Sequence, residues 1–119
     1  MLLKNMGCEG IMHLLRYNTD AENVLKIIDF YIYKTDRSKE FKKKSDILAY
    51  QKKRLKHRNA LCYFFISKWS FSRVADYFGY SRERIRQICY RFVFELRAKK
   101  EYQQFIKIPE ICEKLDLHI

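Results

Sequence analysis

The chain has 119 residues, 48% of them hydrophobic, 33% charged and 16% aromatic, which is about one domain of length and too rich in large apolar side chains for a disordered segment. Scarce Gly (3) and Pro (1) argue against sandwiches, barrels and phosphate-cradling glycine loops, and toward helices. The net charge of +11 points to a polyanionic partner, and no apolar run approaches the roughly 20 residues of a bilayer span.

The start, Met1-Leu2-Leu3-Lys4, lacks the basic and long apolar stretches of a signal peptide. Residues 1–44 are expected to form an N-terminal helical extension. Within it, Thr19-Asp20-Ala21-Glu22 reads as a capping box. It opens a helix over about 20–34 that carries Val24, Leu25, Ile27, Ile28, Tyr31 and Ile32. Residues 35–44 show no period and read as a linker or the start of the next helix. Ser45-Asp46 is a plausible start for a helix bearing Ile47, Leu48, Tyr50 and Leu55. Its second half, Gln51 to Asn59, is almost wholly basic or polar. Ala60 to Ile66 is apolar, and periodicity alone cannot separate strand from helix there; the residues that follow favour helix.

Ser70 precedes Phe71, Val74, Ala75 and Phe78, a short amphipathic helix. Gly79 breaks it, as a residue that enters the left-handed region without a Cβ penalty. Ser81 is a good N-cap for a second helix. There Ile85, Ile88, Cys89, Phe92 and Leu96 make one apolar stripe. The opposite face carries Glu83, Arg86, Gln87, Tyr90 and Arg91, with Arg82 and Arg84 on its flanks. Two short helices joined by a tight glycine turn form a helix-turn-helix. The small Ala75 lets the helices approach, and Ile85 and Ile88 clamp the second onto the first. The tail from Glu101 to Ile108 is expected to continue or cap this helix. Pro109-Glu110 would start another, with Ile111, Cys112 and Leu115 on its apolar side.

The positive charge is confined to the middle. Residues 1–36 hold 4 basic and 5 acidic side chains, residues 37–100 hold 19 and 5, and residues 101–119 hold 2 and 4. Lys42, Lys43, Lys44, Lys52, Lys53, Arg54, Lys56 and Arg58 would supply a field for phosphates. An acidic membrane surface would need a clean apolar face beside these lysines, and none accompanies them. Cys8, Cys62, Cys89 and Cys112 are not in C-x-x-C spacing, and His13, His57 and His118 are scattered, so no metal is expected. The cysteines read as core or incidental thiols in a reducing cytoplasm.

The stretch Ser70 to Arg97, above all SRERIRQI (Ser81 to Ile88) with the closing Glu95-Leu96-Arg97, resembles the promoter-reading helix-turn-helix in the fourth region of bacterial sigma factors. Ala60 to Phe65 is more loosely similar to the preceding helix of that domain. The likeness covers roughly a third of the chain and implies a bacterial, phage or plasmid protein acting in the cytoplasm. It implies that Arg82, Glu83, Arg86 and Gln87 lie at base edges or adjacent phosphates. The chemistry agrees: Arg86 suits guanine O6 and N7, Gln87 suits adenine N6 and N7, and Glu83 can accept from cytosine N4. Ser81, Arg84, Tyr90 and Arg91, together with Arg73, Lys53 and Arg54, suit phosphates.

The sequence departs from a complete sigma factor, whose polymerase-gripping region finds no counterpart in the first 40 residues. Tyr90, Val93 and Phe94 are also more apolar than an outer face requires, and Phe94 is expected to pack on the tail or a second subunit. The fold expected is all-α: a helix-turn-helix DNA-binding core over 45–100, with additional N- and C-terminal helices (1–44 and 101–119). The function expected is sequence-specific DNA binding in transcription regulation, without catalysis or cofactor and with a possible homodimer. The alternative is a protein that docks on RNA polymerase or a sigma factor and redirects transcription. RNA binding fits the charge and aromatic content, but a groove-reading helix suits duplex DNA better. A nuclease would need an acidic metal cluster that the basic segment lacks.

Overall fold

In a computed structural model that describes residues 3–105, the chain is all-helical, with no strand among the described residues. Its α-helices are α1 (Cys8–Tyr17), α2 (Ala21–Lys34), α3 (Lys44–Phe65), α4 (Phe71–Phe78) and α5 (Arg82–Ala98), with 3-10 segments at Leu3–Asn5, Ser38–Glu40 and Lys100–Phe105. The expected helix at Pro109 lies outside the described residues.

Helix α1 is absent from the expected elements, although Ile11, Met12, Leu14 and Leu15 form its buried side. The helix at 20–34 forms as expected, but its cap differs. Asp20, not Thr19, is the N-cap, and its carboxylate accepts from the Asn23 amide at 2.8 Å. The Thr19 hydroxyl instead donates to the Leu14 carbonyl at 2.9 Å. The Leu14 carbonyl already accepts from the Asn18 amide at 2.9 Å, so the Thr19 hydroxyl is a second donor at the end of α1, a role a carboxylate cannot fill, and the two residues divide the work accordingly.

Helix α3 unites the two pieces expected around 45–59 and 60–66. It starts at Lys44, with Lys43 as an N-cap that offers no side-chain bond, so Ser45 lies inside the first turn. No Gly or Pro interrupts 44–65, and Lys, Arg, Leu and Gln are good helix formers. The polar N-terminal part stays exposed, with Leu48 and Leu55 more than half accessible, whereas Ala60, Leu61, Phe64 and Phe65 are buried.

Buried side chains from Leu3 to Tyr102 form one cluster. Phe92 on α5 meets Tyr31 and Phe65 edge-on at centroid distances of 5.0 and 5.3 Å. α5 is the central element, packed by α4, α1, α3 and both terminal 3-10 segments. That enclosure corrects the expected outer position of Val93, which is fully buried. Elements on more than one side of α5 widen its buried surface beyond a single stripe. Phe94 remains 60% exposed.

The chain after α5 does not continue the helix. Lys99 is extended (φ −111°, ψ 126°), and the Lys100–Phe105 segment turns back onto α2. Tyr102 is buried against the edge of Phe30, and Glu101 pairs with Lys34 at 2.9 Å. The Leu3 amide donates to Gln103 Oε1 at 3.1 Å, tying the two ends of the described chain together.

Candidate nucleic-acid interface

The hairpin of α4 and α5 is built by local chemistry at three points. The Ser70 hydroxyl accepts from the Arg73 amide at 3.2 Å and starts α4. Gly79 ends it at φ 72°, ψ 29°, in the left-handed region. The Ser81 hydroxyl accepts from the Arg84 amide at 3.1 Å and starts α5. Hydrogen bonding and backbone freedom thus fix both helix ends of a very short connection. Val74 and Ala75 on α4 are buried, as are Ile85, Ile88, Cys89, Phe92 and Leu96 on α5. Burial pushes the Cys89 thiol far up, so it stays a neutral core group.

With that stripe buried, the first turns of α5 present Arg82, Glu83, Arg86 and Gln87 to solvent together. Glu83 and Arg86 are joined by two hydrogen bonds: Nε donates to Oε2 at 3.0 Å and Nη2 to Oε1 at 2.8 Å. Arg86 holds the Glu83 carboxyl below the usual carboxylate range. The guanidinium also lies 5.2 Å from the Tyr90 ring centroid. Glu83 occupies two of its five N–H groups. Tyr90 is half-buried, and its hydroxyl donates to Glu9 of α1. Donating to the Glu9 carboxylate holds the phenol proton and raises the Tyr90 pKa, and the contact fastens α5 to α1.

The residues expected at phosphates fall into groups. Lys53, Arg54, Arg84 and Arg91 line one cleft between α3 and α5. Ser81 is exposed at the start of α5, but its hydroxyl is spent on the cap. Arg73 lies outside that cleft, its guanidinium 4.0 Å from the Trp69 ring centroid. Arg54 is largely committed within the fold: it donates to the Ile32 carbonyl at 3.2 Å and to the Thr35 hydroxyl. Arg58 is held by Asp29 at 2.9 Å. Lys42, Lys43, Lys44, Lys52, Lys53 and Lys56 are exposed. Lys56 sits 5.2 Å from the ring centroid of Tyr80, in the turn before α5, so α3 carries charge up to the start of the hairpin's second helix.

Five polar or aromatic residues of the cleft were assigned no binding role from the sequence: Tyr31, Thr35, Arg37, Tyr50 and His57. Tyr50, Lys53, Arg54 and His57 follow helical spacing, so the α3 side of the cleft could have been read as a stripe. Burial first, then the cations Arg84, Lys53, Arg54 and Arg91, lower the His57 pKa to about 4. Among the described residues no group of three His, Cys, Asp or Glu side chains is placed to hold a metal ion, and no helix is long and apolar enough to cross a membrane. No family model, curated protein or solved structure matches the chain.

Proposed function

We propose that this chain is a sequence-specific DNA-binding regulator of transcription, with α4, the Gly79 turn and α5 acting as a helix-turn-helix. In this reading the start of α5 lies in the major groove, where Arg86, Gln87, Glu83 and Arg82 meet base edges. The observation that carries it is the two-sidedness of α5. Its inner stripe is buried, whereas the outer side of its first turns exposes groups that can read hydrogen-bond patterns. Pairing with Glu83 orders the Arg86 fork before any partner arrives, which lowers the ordering cost of binding. Exposed Lys53 and Lys56 on α3, and Arg84 and Arg91 on α5, supply the sequence-independent attraction.

The test is selection from a random duplex library, followed by binding of variants to the selected site. Arg86→Ala or Gln87→Ala should cut preference at a single base pair by roughly 5- to 150-fold. Lys53→Ala should weaken all duplexes alike and flatten the salt dependence by about one unit. A library that returns no enriched sequence, or Arg86→Ala and Gln87→Ala variants that lose cognate and random DNA equally, would refute the reading helix.

One observation favours a second reading, docking on RNA polymerase or a sigma factor: Phe94 is 60% exposed on the same helix. Polymerase capture that survives Arg86→Ala and is lost with Phe94→Ala would support it; unchanged capture with Phe94→Ala would remove it.

A further inference from the structure

A cleft of about 280 Å³ opens between α3, α5, the end of α2 and the link that follows it. Its cations are Arg37 from the link, Lys53 and Arg54 from α3, and Arg84 and Arg91 from α5; no carboxylate lines it. Two of them are already engaged, Arg37 by Glu40 at 2.9 Å and Arg54 by the Ile32 carbonyl at 3.2 Å. Lys53, Arg84 and Arg91 form no ion pair among the described residues. A concave recess focuses the field of like charges, so three uncompensated cations there attract an anion strongly.

Two further features mark the recess as more than a solvated basic surface. His57 Nε2 is buried without a hydrogen-bond partner among the described residues, and a buried polar atom in that state calls for a partner. The aromatic side is fixed in place, because the Tyr50 hydroxyl accepts from the Arg37 amide at 2.9 Å.

We propose that this cleft binds a compact oligophosphate, of the class of pyrophosphate or the diphosphate end of a nucleotide, as a site separate from the base-reading surface of α5. Three free cations in one small recess match an anion carrying several charges, whereas a nucleic-acid backbone brings one per linkage. Two guanidinium forks and an ammonium suit adjoining phosphate groups, which accept bidentate bonds. The cleft stands on its own geometry and does not depend on α5 reading DNA.

His57 gives the site a pH signature. Facing it are Lys53 and Arg54 on α3, Arg84 and Arg91 on α5, and Tyr80, with its ring centroid 6.2 Å away; Tyr31, Arg37 and Tyr50 complete the cleft. Without an anion its pKa lies at about 4, so the imidazole is neutral near pH 7. A bound anion offsets the surrounding cations and raises that pKa, so binding takes up a proton. Affinity therefore rises as pH falls from the raised value toward about 4.

Titration calorimetry of the full chain with pyrophosphate at low salt tests this. Saturable one-to-one binding is expected, weakened about tenfold by Arg84→Gln or Arg91→Gln through loss of a charge-assisted bond, and unchanged by Lys26→Gln. Lys53→Gln, at an exposed position, gives the same readout with the least risk to folding, which circular dichroism verifies. Direct titration with sulfate, whose charge stays fixed over the range in which an imidazole titrates, should give binding that strengthens on acidification in the native chain and loses that trend with His57→Gln. No saturable pyrophosphate binding, or binding indifferent to all three cation variants, would overturn the site. Pyrophosphate binding no tighter than sulfate, with both displaced by any short duplex, would assign the cleft to backbone phosphate and equally overturn it. Neither outcome bears on base preference in the Arg86→Ala and Gln87→Ala variants, so failure here is distinguishable from failure of the DNA reading.

Discussion

Helices α3 and α5 both carry arginines, and the fold uses them in different ways. On α5, Arg82, Arg86 and Arg91 are exposed, and Arg86 has a partner only three residues away on its own helix. On α3, Arg54 and Arg58 reach across to α2, one to the Ile32 carbonyl and the Thr35 hydroxyl and the other to Asp29. A cation whose partners lie on its own helix stays free to meet a ligand. A cation whose partners lie on another helix is part of the frame. Charge density alone does not distinguish them; the origin of the partner does.

The sharpest way to break this comparison is to attack the frame itself. Phe92→Ala removes a fully buried ring held between Tyr31 and Phe65. It should destabilise the chain by about 3–5 kcal/mol, the range for large-to-small core changes, read as a lower denaturant midpoint. Next is the arginine contrast. Arg54→Ala leaves the Ile32 carbonyl and Thr35 hydroxyl without their donor and should cost about 1–3 kcal/mol. Arg86→Ala should leave the unfolding midpoint unmoved while altering DNA preference. Equal thermal destabilisation by the two variants would erase the distinction between frame and free cations.

What was legible in the sequence follows the same line. The hairpin was legible because its determinants are local: two serine caps, a turn glycine and a stripe at helical spacing. Helix α2 was legible for the same reason, although the cap moved from Thr19 to Asp20. The position of Val93 was not, because its burial comes from helix packing on several sides of α5, including α1, an element absent from the sequence reading. The cleft was only half legible. Lys53, Arg54, Arg84 and Arg91 were assigned to phosphate individually, but their convergence around His57 depends on how α3 crosses α5 in space. Arg54's role in holding α2 likewise needed a partner more than a dozen residues away.

A smaller effect tests the turn that leads from α4 into α5. Gly79 has a φ of 72°, and a Cβ added there meets nothing within 4 Å. Any penalty of Gly79→Ala is therefore a backbone cost, about 1–2 kcal/mol, with no clash contribution. Calorimetric unfolding of Gly79→Ala beside Gly79→Asn separates the causes, since Asn tolerates the left-handed region better than Ala. Equal losses for the two would mean that the left-handed turn is not what limits the hairpin.

The smallest expected effect on stability is at Glu83, and it refines the idea of a free cation. Arg86 depresses the Glu83 pKa, so the pair's contribution is present above the unfolded carboxyl pKa and fades as pH falls through the lower folded value. Because the pair is exposed to solvent and confined to one helix, Glu83→Gln should leave the neutral-pH unfolding midpoint in place. Its effect should appear in binding instead. A Gln at that position accepts from Arg86 without an ionic component, so the guanidinium samples more rotamers and base preference at the position read by Arg86 should relax. Selection at neutral pH should therefore return a flatter preference at that one position and unchanged preference at the others. If the Glu83→Gln chain stayed as selective there as the native chain, Glu83 would be an adjacent carboxylate without influence on where Arg86 points.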